Sequence, residues 1–111
     1  SDAALTDLRH NGISEPRAAK FLTALITDIE QDLTRRMIWF KTLNEERQAV
    51  LLDMAYQLGV DGLMGFKKTL GFIKAGQYTL AKSTMLDSKW ARHDSPNRAR
   101  ELADIMEKGI I

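Results

Sequence analysis

Apolar residues recur along this chain at spacings of three and four, and no stretch alternates convincingly with the period of a strand. The longest such pattern runs through Ala18, Leu22, Leu25, Ile29 and Leu33, joined by Phe21 and Ile26. Arg17, Lys20, Asp28 and Gln31 fall on its other faces. This predicts an amphipathic helix over 14–34, with Ser14 as N-cap and Glu15 and Pro16 in the first turn. Ahead of it, residues 2–10 suit a short helix that Asn11-Gly12 would end.

A second pattern differs in kind. After the Met37-Ile-Trp-Phe40 cluster, Asn44 stands as another N-cap, followed by Glu45 and Glu46 where acids complement the helix dipole. Residues 49–58 are then apolar nearly all round, which predicts a helix over 45–58 buried on most sides, with Leu52 in the core. Its only polar breaks, Asp53 and Gln57, are four apart and share an edge. Gly59 ends it. Gly62, Gly65, Gly71 and Gly76 then punctuate short helices at roughly 61–65, 66–75 and 77–87. Ser95-Pro96 opens a final helix with an N-cap and a first-position proline, and Gly109 closes it. The expected fold is all-α, a compact bundle of about seven or eight helices in one domain spanning 1–111.

Composition narrows the chemistry. A chain of 111 residues can bury roughly two-thirds of its extended surface, enough for one core without staples. Zero cysteines exclude disulfides and thiolate catalysis. The net charge of +1 gives no polyanion signal, and no exposed helix clusters basic residues as a nucleic-acid reader would, so no nucleic-acid partner is expected. Residues 60–111 do carry 9 Lys and Arg against 6 Asp and Glu, a modest bias that suits either an anionic surface or simply scattered solvated charges. No run approaches the ~18 apolar residues of a membrane span, and no signal-peptide pattern opens the chain. His10 and His93 are far apart and lack cysteine partners, so neither metal nor cofactor is expected. The carboxylate pair Asp28 and Asp32 reads as a solvated helix face, and Asp53 near Gln57 as a hydrogen-bonded polar edge. No catalytic residue is therefore assigned.

One resemblance goes further. The stretch from Met54 to Phe66 (Met-Ala-Tyr-Gln-Leu-Gly-Val-Asp-Gly-Leu-Met-Gly-Phe), followed by Ser88-Lys-Trp90 and Ser95-Pro-Asn-Arg-Ala99, resembles the C-terminal helical lobe of tailed-bacteriophage lysozymes of the T-even type. Asn11-Gly-Ile-Ser14, with Ala18-Ala-Lys20, resembles the start of that family's interlobe helix. The resemblance implies that 1–12 is a remnant of an N-terminal lobe, 14–34 the interlobe helix and 35–111 the C-terminal lobe. It also implies that Gln57, Trp90, Asn97 and Arg98 face a peptidoglycan cleft: amides for sugar hydroxyls, a guanidinium for a peptide carboxylate, an indole for a sugar face. The family's catalytic glutamate and glycine-rich hairpin have no counterpart in these residues; the first glutamate, Glu15, precedes proline. The expected partners are thus glycan strands and a separate N-terminal catalytic segment, with action at the bacterial wall, from the host cytoplasm before lysis or from a virion tail. The alternative is a lysozyme-like phage or prophage protein that binds wall or serves structurally without cleaving it.

Overall fold

Asn44 and Gly59 set the bounds of the central helix. The Asn44 side chain accepts from the Arg47 N–H at 3.0 Å, and Gly59 leaves the helix at φ 80°, a conformation that L side chains rarely adopt. Between them lies α2 (Glu45–Leu58), as the pattern predicts. The computed structural model describes residues 16–110, with side chains from residue 24 onward. The helix expected over 2–10, the Asn11-Gly12 turn, the Ser14 cap and the segment 1–12 lie outside the described residues.

Helix α1 (Pro16–Arg36) precedes it, running two residues past the predicted end. Arg35 and Arg36 occupy its last turn, where cations face the negative pole of the helix. Leu33 near its end is fully buried, and Ile29 packs against the same core. A 3-10 turn, Phe40–Thr42, seats Phe40 and Met37 inside while Ile38 remains 88% exposed.

The chain continues through α3 (Val60–Met64), α4 (Lys67–Lys74), α5 (Tyr78–Leu86), a π-helical turn over Trp90–Asp94, and α6 (Pro96–Lys108). The described residues thus form six α-helices with two short irregular turns, and no strand. The predicted short helices agree to within a residue or two at each end. Pro96 takes the first position of α6 as expected, but the Ser95 side chain makes no capping bond. No helix among the described residues is long and apolar enough to cross a membrane.

Two expectations about α2 change. The helix touches α1, α3 and α6, which cover Val50, Leu51, Met54 and Ala55 but leave one edge open. Tyr56 and Gln57 are exposed there, and Leu52 is only half-buried, so Leu51 and not Leu52 is the fully enclosed leucine. An apolar run does not specify which faces neighbours reach. Leu33, Phe40, Leu51, Met54, Leu63, Ile73, Met85 and Met106, all fully buried, come from elements spread along the described chain.

A charged residue ties the ends together. Arg47 donates from Nε to the Met106 carbonyl at 2.8 Å and from Nη2 to the Glu107 carbonyl at 3.0 Å. Asn44 Nδ2 reaches the Gly109 carbonyl at 2.8 Å. These bonds satisfy carbonyls that the end of α6 leaves without intrahelical partners. The guanidinium also stacks 3.5 Å above the Tyr78 ring.

Candidate functional site

A buried carboxylate lies at the open edge of α2. Asp53 is 4% exposed, and an ionised group at that depth requires partners. One turn on, Gln57 Nε2 donates to Asp53 Oδ1 at 2.9 Å, the contact its four-residue spacing predicts. From α6, Arg98 donates to Asp53 Oδ2 through Nε at 3.1 Å and Nη2 at 2.6 Å. Pro96 fixes the start of that helix, so its first turn brings Arg98 against α2.

The second end of Gln57 is also held. Trp90 Nε1 donates to Gln57 Oε1 at 3.1 Å. Trp90 sits at the start of the π-helical turn, where Ser95 N–H bonds back five residues to the Trp90 carbonyl at 2.8 Å. Its ring is 3% exposed and meets Phe66 edge-on, centroids 6.1 Å apart at 82°.

These contacts dictate the orientation of the Gln57 amide. A carboxylate paired with arginine only accepts, and an indole N–H only donates, so the amide nitrogen must face Asp53 and the oxygen Trp90. A primary amide has two N–H donors and two acceptor lone pairs. One of each is used within the protein. Among the described residues nothing else engages the amide, which leaves one N–H and one lone pair on an exposed side chain, fixed in polarity.

Of the four residues expected to face a cleft, three meet around Asp53 and one does not. Asn97 is exposed, and its Oδ1 accepts from Arg100 Nη2 at 2.5 Å on the surface of α6. Trp90 joins through its N–H; its buried ring offers no open face for stacking on a sugar. Arg98 is engaged on two sides, since Nη1 also donates to Glu101 Oε2 at 2.6 Å. Asp53 as the shared acceptor and Glu101 as the outer partner were not assigned from sequence. A charged residue inside an otherwise apolar helix was the available signal for the first.

Phe66 connects this network to a neighbouring groove of about 550 Å³, lined by Phe66, Lys67, Lys68, Thr69, Thr84 and Ser88 among others. At its floor the buried Thr69 hydroxyl lies 2.6 Å from that of Thr84, which itself donates to the Ala81 carbonyl at 2.9 Å. The Thr84 hydrogen being taken, Thr69 is the donor between the two.

Comparison with known proteins bears on this arrangement. The chain is 30% identical over 98 residues to a protein named probable T4-type lysozyme 1 of Dictyostelium discoideum. It is 26% identical over 98 residues to probable T4-type lysozyme 2 of the same organism. Each alignment covers 88% of this chain and 56% of the relative, so the chain spans about half the length of the curated relatives it matches. These similarities support a T4-lysozyme-like family. No protein-family model matches the chain, and no solved structure matches it significantly.

Proposed function

We propose that this chain forms the helical side of a peptidoglycan-binding cleft in a T4-type lysozyme, a muramidase whose cleavage step requires groups supplied by a further segment. The observation that carries the reading is the doubly held Gln57 amide. The N–H and lone pair that no described residue engages form a preset donor and acceptor, which a vicinal pair of sugar hydroxyls or an N-acetyl group can match. Asp53, Trp90 and Arg98 are positioning residues in this reading, because they act on a ligand through Gln57. The adjoining groove beside Phe66 gives an extended ligand somewhere to lie. The likeness to proteins named T4-type lysozyme supplies the substrate class. Those relatives come from Dictyostelium discoideum, so the likeness does not by itself argue for a phage source.

Glycoside hydrolysis needs two carboxyl groups across the scissile bond, one of them presenting a proton to the leaving oxygen. Asp53 and Glu101 serve here as acceptors for Arg98, so this reading assigns the acid to the further segment. The purified 111-residue chain is therefore expected to sediment with isolated peptidoglycan sacculi yet leave outer-membrane-stripped cells turbid. Clearing that survives repurification contradicts the division of labour. Failure to sediment with sacculi contradicts the cleft itself.

A further inference from the structure

Arg98 carries a charge that a ligand carboxylate would seek, yet the protein has placed a carboxylate of its own on the outward side. The inner edge of the guanidinium faces Asp53, whose side chain is 3% exposed. On the outer side Glu101, one helical turn along α6, accepts from Nη1 at 2.6 Å while remaining 62% exposed. A guanidinium has five N–H donors. Three are engaged here, through Nε, Nη2 and Nη1. The two that no other described residue engages lie on Nη1 and Nη2, so a carboxylate reaching them must settle beside Glu101 or displace it.

We infer that Glu101 sets the charge selectivity of this site, competing with ligand carboxylates for Arg98 and so favouring neutral saccharide over acid-bearing stem peptide. The inference rests on the cleft reading above and adds a specificity-determining residue to it. Two properties suit Glu101 to this role. Its pair with Arg98 is exposed and local, a type of contact held weakly enough to exchange. Asp53 by contrast is buried against the same guanidinium and stays put, so Arg98 remains in place when Glu101 swings away. The site then has a fixed inner carboxylate and a displaceable outer one.

The test compares the full 111-residue chain with Glu101→Gln, using two probes of defined charge. One is a neutral N-acetylglucosamine tetramer; the other is a muramyl peptide with free carboxylates. Glu101→Gln should leave the melting curve unchanged, since the side chain is exposed. It should tighten binding of the carboxylate-bearing probe about 3- to 10-fold at low salt, the scale of a surface charge contact, and change the tetramer by less than about 2-fold. The gain should shrink toward unity at about 1 M salt, where the Debye length is roughly 3 Å. The Arg98 Nε–H resonance should shift with the charged probe more in the variant than in the parent. If both probes bind and Glu101→Gln changes neither, or both alike, the selectivity role is overturned while the cleft stands. If neither probe binds either protein, the cleft reading falls, and the role of Glu101 with it.

Discussion

Replacing Arg98 by methionine should be among the most damaging single changes to this fold, for a reason that lies in Asp53. The pair is 2.6 Å apart, with the aspartate side chain 3% exposed and the arginine 22%. Removing the cationic partner of such a pair takes away the main compensation of a buried charge, a change that costs about 3–5 kcal/mol. Gln57 still donates to Asp53 Oδ1 in the variant, so the lower end, about 3 kcal/mol, is the expected loss. For a domain near 100 residues this corresponds to a fall in melting temperature of roughly 10–20 °C. The companion variant Asp53→Asn/Arg98→Met removes the buried charge together with its cation while keeping an acceptor for Gln57. It should recover most of the loss, giving a coupling energy well above the few tenths expected of independent sites. Urea melts of wild type, both single variants and the double variant supply the cycle. An Arg98→Met loss under about 1 kcal/mol, or a double variant no better than the sum of the singles, refutes the buried-pair reasoning.

Three further outcomes follow from the packing. Leu51→Ala, at a fully enclosed position, should lose about 2–5 kcal/mol in denaturant melts, and Leu52→Ala clearly less; the reverse order contradicts the assigned faces of α2. Gly109 sits at φ 72° with a would-be Cβ 2.8 Å from the Arg47 guanidinium. Gly109→Ala should therefore combine about 1–2 kcal/mol of backbone strain with partial loss of the Arg47 bonds to α6, and a loss below about half a kcal/mol would count against that junction. The Lys82 ammonium, bonded 2.6 Å from Asp104, holds that carboxyl below its ordinary 3.8. A depressed acid stabilises fully above the unfolded value and loses its contribution as pH falls through the folded one. The gap between wild type and Lys82→Met in thermal melts should therefore be present at pH 5 and shrink near pH 2, and a gap that persists there contradicts the assignment.

Much of this architecture can be read from residue patterns, because its signals are local. Asn44 and Gly59 bracket α2, Pro96 and Gly109 bracket α6, and the four-residue spacing of Asp53 and Gln57 gives their hydrogen bond directly. What escapes is non-local or without a residue signature. Arg98 is 45 positions from Asp53, and nothing in either segment names the other as partner. The resemblance instead offers the guanidinium to a ligand carboxylate. The π-helical turn at Trp90–Asp94 depends on an i to i+5 bond that no residue type announces. The resemblance implies that Trp90 offers a sugar its ring, yet Phe66 and the surrounding core enclose it and leave the N–H as its contribution. Arg47 falls into the same class, since its acceptors belong to a helix end about 60 residues away.

The most direct measurement of the central claim is an NMR titration of the isotope-labelled chain with soluble muropeptides, following the Gln57 side-chain amide, the Trp90 indole N–H and the Arg98 Nε–H. The account predicts that the three move together along one saturating curve, and that Gln57→Ala abolishes the Trp90 and Arg98 responses while the fold persists. Responses confined to surfaces remote from this network, such as the exposed Leu80 and Ile110, would contradict it, as would an unchanged titration in Gln57→Ala.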